Sequence, residues 1–404
     1  MRIARQLTTL LLAIALINGC MHNSEKQTDN HAGIATLHDS TTRNHHDSTT
    51  RNQQGNYHAR KFSVLPQEDF SILKVYSPWQ DAAENSFTYL AGNDASQVPD
   101  SLSAIPFIRT PVERVVIMST TFVPFIDTLG ESHTISGVSG VKNLYDPRLR
   151  KKHEDGALKE VGSDQAMKYE TIVALNPDVV FMFGVKAGIM QVAGKLSEAG
   201  IQVVICADYL EPHPLGRAEW LRFFSVFYGK EKLAEAIFNR IRSRYLSLAE
   251  KAVAPARKNR EKPLVMMGLP WKDAWYVAGG KSFAAVLVED AGGNYIFRDD
   301  DHAEAKMLSV EAVYTRALEA DVWINPGIAA DLQQVLDHDE RFGELKAFRQ
   351  QRVFNNNRRM GPGGGNDYWE SGVLHPDRIL EDLVRIFHDS IPDEQGLHYY
   401  TRLK

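Results

Sequence analysis

The residues with the clearest chemical purpose stand at the start of this sequence. Ile17-Asn18-Gly19-Cys20 closes a leader in which Arg2 and Arg5 precede the apolar run Leu10–Ile17. A basic n-region, a short apolar h-region and a small residue before cysteine resemble a bacterial lipobox, with Asn18 its one unusual member. The chemistry implied is acylation: cleavage before Cys20 exposes a cysteine whose sulfur takes a diacylglyceryl group. Each buried methylene contributes about 0.8 kcal/mol, so several acyl chains hold a protein on a bilayer. The plainer alternative is an ordinary cleaved leader with Cys20 incidental. The only other cysteine is Cys206, at the end of the apolar run Val203-Val204-Ile205. An acylated Cys20 therefore leaves no intrachain disulfide, and Cys206 reads as a buried thiol.

A second group of residues suits anions. Arg358-Arg359 adjoins Gly361-Pro362-Gly363-Gly364-Gly365, where guanidinium forks and a permissive backbone could receive a carboxylate or phosphate. Two solvated arginines in a surface loop are the alternative. Catalytic patterns fail at specific positions. In Gly279-Gly280-Lys281-Ser282, Trp275 stands where a phosphate loop needs its first glycine. Tyr368 breaks a dinucleotide fingerprint begun at Gly363, and Val141 breaks a nucleophile elbow around Ser139. There is no H-E-x-x-H and no pair of C-x-x-C. The chain is therefore expected not to be an enzyme, with an exported α/β hydrolase as the remaining catalytic alternative. A formal charge of −5 and the lack of a basic stripe argue against nucleic acid. Asp299-Asp300-Asp301-His302 reads as a solvated acidic loop, and no resident metal is expected.

The elements that must position these groups follow from periodicity. Residues 1–19 form the leader and 20–60 a tether rich in Ser, Thr, Asn, Gln and His, with a near-duplicated His38–Asn44 and His46–Asn52. Such a composition buries too little apolar surface to offset chain ordering. Residues 61–109 form a small β extension, with strands at Phe62–Val64, Ile72–Tyr76 and Phe87–Leu90. From 110 to 212, strands at Val115–Met118, Ile135–Val138, Val179–Phe183 and Ile201–Cys206 alternate with helices at Phe122–Leu129, Tyr169–Leu175 and Ile189–Ala199. That alternation predicts an α/β lobe with a mostly parallel sheet. Residues 213–255 are a helical connector, either one long helix or two broken near Gly229. From 262 to 390 a second α/β lobe holds strands at Leu264–Met267, Val322–Ile324 and Val353-Phe354. Its helices fall at Phe283–Asp290, Val310–Leu318 and Arg378–Phe387. Residues 391–404 form a tail.

Four segments in order resemble the periplasmic substrate-binding proteins that serve ABC importers of ferric siderophores, haem and cobalamin, in particular a lipoprotein branch found in Bacteroidota. They are Arg114–Thr121, the run Tyr169–Val180 with its Glu-x-Ile-Val-x-Leu-x-Pro-Asp pattern, Glu211–Trp220, and Asn366–Val373. The resemblance covers about 62–390. It implies two Rossmann-like lobes joined by a long helical connector (a class III clamp), with ligand between the lobes. Open α/β sheets also bind ligands beyond the carboxyl ends of their strands on general grounds. Candidate ligand residues are therefore Ser119, Thr120, Lys142, Gly184, Lys186, Glu211, His213, Arg217, Trp271, Trp275, Arg358 and Arg359. Trp275 could equally be core. The resemblance implies no cofactor, and a cargo that is an iron chelate, first a ferric siderophore, otherwise cobalamin or haem. It implies an ABC permease dimer with its ATPase as partner, and docking through Glu170 and Glu311. Each also stands near a helix start, where the macrodipole favours carboxylates. The expected state is a lipid-anchored monomer in the periplasm.

Overall fold

A computed structural model describes residues 55–80, 82, 85–163, 165–185, 187–253, 261–388 and 396–404. The leader, Cys20, the tether up to residue 54 and Lys186 lie outside the described residues.

The extension is a four-stranded sheet in the order β1-β2-β3-β4, with β1 (Phe62–Pro66), β2 (Phe70–Tyr76), β3 (Ser86–Gly92) and β4 (Phe107–Arg109). The last strand, short and parallel to β3, was not legible as a strand. Next comes β5 (Val115–Ile117), α1 (Val123–Thr128), β6 (Ile135–Val138), α2 (Pro147–Glu154), β7 (Lys159–Glu160), α3 (Tyr169–Leu175), β8 (Val179–Phe183), α4 (Ile189–Glu198) and β9 (Val203–Cys206). All its pairings are parallel, in the order β7-β6-β5-β8-β9. Side chains alternate between the sheet's faces: Val115, Ile117, Val179 and Phe181 join one apolar cluster, while Val116, Val180 and Met182 join another. Both faces are thus covered, as a parallel sheet requires.

The connector breaks near Gly229, as the second of the two expected forms has it, with one further interruption at Glu219 that makes three helices: α5 (Pro214–Ala218), α6 (Trp220–Val226) and α7 (Glu231–Val253). Only Glu219 separates α5 from α6, whereas the break before α7 turns on Gly229 at φ +61°, a conformation without penalty for glycine alone. Trp220, Phe223, Phe224 and Phe227 are fully buried. Phe224 stacks on Phe125 at 5.0 Å, Phe227 meets Phe181 edge-on at 5.0 Å, and Trp220 meets Phe62. Each such ring contributes about 2 kcal/mol of burial, so α6 is welded to the first lobe and to β1. Helix α7 runs along the closing helix of the second lobe.

The second lobe comprises β10 (Leu264–Met267), β11 (Ala274–Val277), α8 (Phe283–Asp290), β12 (Asn294–Tyr295), β13 (Lys306–Ser309), α9 (Val310–Ala317), β14 (Val322–Ile324), α10 (Leu332–Leu336), α11 (Lys346–Arg349), β15 (Val353–Asn355), α12 (Ser371–Leu374), α13 (Pro376–Phe387) and β16 (Thr401–Arg402). Its sheet order is β12-β10-β14-β15-β16, parallel except for β16. The segment read as a tail therefore returns to the sheet. Tyr399 and Tyr400 are fully buried, and the Asp382 carboxylate accepts the backbone N–H groups of His398, Tyr399 and Tyr400. The other end is also tied down, which corrects a tether reaching residue 60. Tyr57, His58 and Ala59 donate their N–H groups to Glu219, and Arg60 and Lys61 donate theirs to Glu211.

Candidate functional site

Several expected ligand residues are used by the fold itself. Glu211 is 2% exposed, and beyond Arg60 and Lys61 it accepts the Trp220 indole N–H at 3.1 Å. Burial pushes its pKa up to about 7. It holds chain rather than ligand. Trp275 is fully buried, donates to the Met267 carbonyl at 3.2 Å, and packs against Trp323 and Phe342. Gly184 is buried, with its carbonyl accepting the Tyr209 hydroxyl at 2.6 Å.

His213 also leaves the cleft: its Nδ1 accepts the Leu215 N–H at 3.0 Å as the cap of α5, and its ring stacks on His58 at 4.8 Å. His58 Nε2 accepts from Arg242 Nε at 3.1 Å. Both imidazoles use a lone pair, so both must be neutral. Burial first, then neighbouring positive groups, lowers His58 to about 3 and His213 to about 4. The unfolded chain takes these protons near pH 6.5, the folded chain only well below, so the stability they confer is whole above about 6.5 and declines as pH falls. The slope is at most about 1.4 kcal/mol per pH unit for each imidazole. We expect His213→Asn, which retains a cap acceptor, to lose less thermal stability than wild type between pH 7 and pH 4.5. Equal losses would contradict the neutral-pair assignment.

Other residues do meet between the lobes. The glycine-rich loop of the second lobe lies flat on the first: a Cβ on Gly363 would strike the Lys142 carbonyl, and one on Gly365 the Asn143 carbonyl. These glycines serve close backbone approach, which replaces their expected role in cradling an anion. Beside them Glu370 accepts the N–H groups of Tyr145 and Asp146, each at 2.8 Å, across the lobe junction. Arg359 pairs with Asp367 at 2.5 Å and lies over the Tyr145 ring at 5.1 Å. Lys142, whose backbone meets Gly363 at this seam, is exposed, as is Arg358 beside Arg359 in sequence. A cavity of about 210 Å³ opens there, lined by Val123, Pro124, Asp127, Thr128, Tyr145, Asp146 and Pro147 from the first lobe and Arg359, Asp367, Glu370, Ser371, His375 and Arg378 from the second. A larger hollow of about 570 Å³ is lined only by Gln333 and residues 336–340. Its lining comes from α10 and the residues directly after it, so it brings no groups of the two lobes together.

Deeper, α5 packs between the lobes against α8 and α12. It presents Arg217, 6% exposed, with its guanidinium over Phe283 at 5.6 Å and its charge felt by Tyr368. Asp208 lies 3.6 Å from Arg217 Nε, too far for a hydrogen bond. Arg217 Nε and Nη2 and Asp208 Oδ2 have no hydrogen-bond partner. Burial raises the Asp208 pKa against the pull of Arg217. Such groups cost free energy until something bonds them, and they lie buried beside α5 rather than in the lining of the seam cavity. Ser119 caps the turn after β5 by accepting from Thr121, and it and Thr120 are half-buried, as is Trp271. Sequence reasoning missed Tyr145, Asp208, Tyr368, Glu370, His375 and Arg378. The signal available for two of them was their place in the segment Asn366–Val373.

Two mostly parallel sheets with a cavity of about 210 Å³ at their junction have the architecture of a bilobal binding protein. Residues 115–357 match the periplasmic binding protein family, and the chain belongs to that family. It is 26% identical to an uncharacterized lipoprotein of Methanocaldococcus jannaschii over 97% of this chain and 94% of that protein. A possible iron-binding, periplasmic solute-binding protein of Staphylococcus epidermidis shares the fold at 19% identity and TM-score 0.52, covering 70% of this chain and 100% of that one. A periplasmic haem binding protein of Pseudomonas aeruginosa does so at 20% identity and TM-score 0.52, covering 69% and 94%. Among the described residues, no helix is long and apolar enough to cross a membrane.

Proposed function

We propose that this protein captures an anionic metal chelate, a ferric siderophore first among them, and delivers it to an ABC permease dimer driven by its ATPase. The observation that supports this most is the buried Arg217 guanidinium, with Nε and Nη2 unbonded, between the lobes. Arg359, with its neighbour Arg358, and Lys142 add positive charge near the seam, suited to carboxylate, catecholate or hydroxamate oxygens. The cavity of about 210 Å³ is smaller than the ~300–1,000 Å³ of ordinary ligand sites. A whole chelate therefore enters by separation of the lobes at the glycine seam. Cys20 supplies the membrane anchor, and the protein works as a monomer on the periplasmic side.

Delivery rests on Glu170 and Glu311. Each lies in the first turn of its helix, α3 or α9, and is exposed. Glu311 has Arg341 at 3.5 Å with 70% of its own side chain exposed, a pair that solvent weakens. Glu170→Arg combined with Glu311→Arg is expected to abolish uptake of radio-iron chelate by cells while leaving chelate binding by the purified protein unchanged. Normal uptake by the double variant would sink the docking assignment.

A further inference from the structure

The seam cavity has an unbalanced set of charges. Four carboxylates line it, and each already has fixed partners. Asp127 and Asp146 hold Arg148, at 2.7 and 2.5 Å. Asp367 holds Arg359, and Glu370 holds the amides of Tyr145 and Asp146. Arg378, from the first turn of α13, also lines the cavity. Its guanidinium has no hydrogen bond or ion pair among the described residues. Nearby His398 is kept neutral, its pKa lowered to about 4 by burial and then by the charges of Arg359 and Arg378. The lining is acid-rich, and burial followed by the neighbouring Asp367 and Asp146 pushes the Glu370 carboxyl up to about 8, while Arg378 is the lining arginine without a partner among the described residues.

We propose that this cavity is an oxyanion site, in which Arg378 binds a carboxylate- or phosphate-sized group wedged between the lobes. The volume of about 210 Å³ admits such a group and not a whole chelate. A planar guanidinium presents the forked donors that carboxylates and phosphates match. Because α1 and the start of α2 form one wall and residues 359–378 the other, an anion here bridges both lobes. The same chemistry could arrive free, as a small oxyanion, or as an acidic arm of the chelate in the main cleft. The second source rests on the function proposed above; the first does not.

The test uses the full chain in detergent, titrated calorimetrically with inorganic phosphate, with malonate and with ferric citrate. Wild type is compared with Arg378→Gln, Arg378→Lys and the control Arg385→Gln, which removes the same charge from α13 outside the cavity. Saturable binding of phosphate or malonate, weakened at least tenfold by Arg378→Gln, partly restored in Arg378→Lys and unchanged in Arg385→Gln, identifies a free-anion site. If the small anions do not bind but ferric citrate affinity shows that same pattern, the site takes the chelate's arm. Equal affinities of wild type and Arg378→Gln for all three probes would overturn the proposal, as would an equal loss in Arg385→Gln. Failure of ferric citrate alone would count against the chelate reading and leave the free-anion result to stand.

Discussion

Glu219→Ala is expected to release the N-terminal β extension from the body of the protein. The carboxylate is fully buried and accepts three backbone N–H groups, from Tyr57, His58 and Ala59, at 2.7–2.9 Å. It also pairs with Arg222 at 2.9 Å. Truncation leaves three amides without an acceptor and a buried anion site without its charge. Removing one partner from such an arrangement costs about 3–5 kcal/mol. Arg222 retains Asn56 and Glu235, so the loss should concentrate on residues 57–61 and the strand that follows. Because a chain of several units need not unfold in one step, local hydrogen exchange is the suitable readout. Amide protection in β1 and β2 should fall by a hundredfold or more, with the sheets of both lobes little changed. Unaltered protection there would show that ring packing by Phe62 and Trp220, not the carboxylate, holds the extension.

The second large effect concerns Arg217. Arg217→Met retains apolar contact with Phe283 while removing the charge. Truncating one member of a desolvated, bonded charge pair costs roughly 2–5 kcal/mol in binding, so affinity for an anionic chelate should fall about a hundredfold. The unliganded protein should melt within a few degrees of wild type, since Nε and Nη2 make no hydrogen bond in it and Asp208, already raised in pKa by burial, can take a proton. Lost melting temperature with retained affinity would make Arg217 a structural residue.

The contrast between fold and site has a physical origin. Helices Tyr169–Leu175 and Phe283–Asp290 and strands Val179–Phe183 and Leu264–Met267 match their expected bounds, because each is an apolar run closed by Asn-Pro, glycine or a polar turn. The two-stranded antiparallel sheet of β11 and β13, and β16, were missed. Lys306–Ser309 alternates between half-buried and exposed, and β16 is two residues whose pairing depends on the distant β15. The site was less legible for a related reason. A carboxylate after a strand looks the same in sequence whether it meets a ligand or an amide far along the chain. Glu211 meets Arg60 and Lys61, about 150 residues away, while Glu370 meets Tyr145 and Asp146, 225 and 224 residues away. Glycines 363 and 365 suggested an anion cradle because the backbone that needed their lack of a side chain belongs to the other lobe. Arg217 and Arg359 were legible as cations near strand ends, but only the packing distinguishes the first, whose Nε and Nη2 lack hydrogen-bond partners, from the second, held by Asp367.

The central claim is capture of a metal chelate between the lobes. Its most direct test is a titration of the full chain, in detergent, with a ferric catecholate, a ferric trihydroxamate, haemin and cyanocobalamin, followed by tryptophan fluorescence. Trp271 and Trp369 are half-buried and stand on loops beyond the strands of the second lobe. Saturable quenching at sub-micromolar concentration by one ferric chelate class, lost in Arg217→Met, is the expected result. Saturation by haemin or cyanocobalamin alone would reassign the cargo within the family. No saturable change with any of the four would contradict chelate capture.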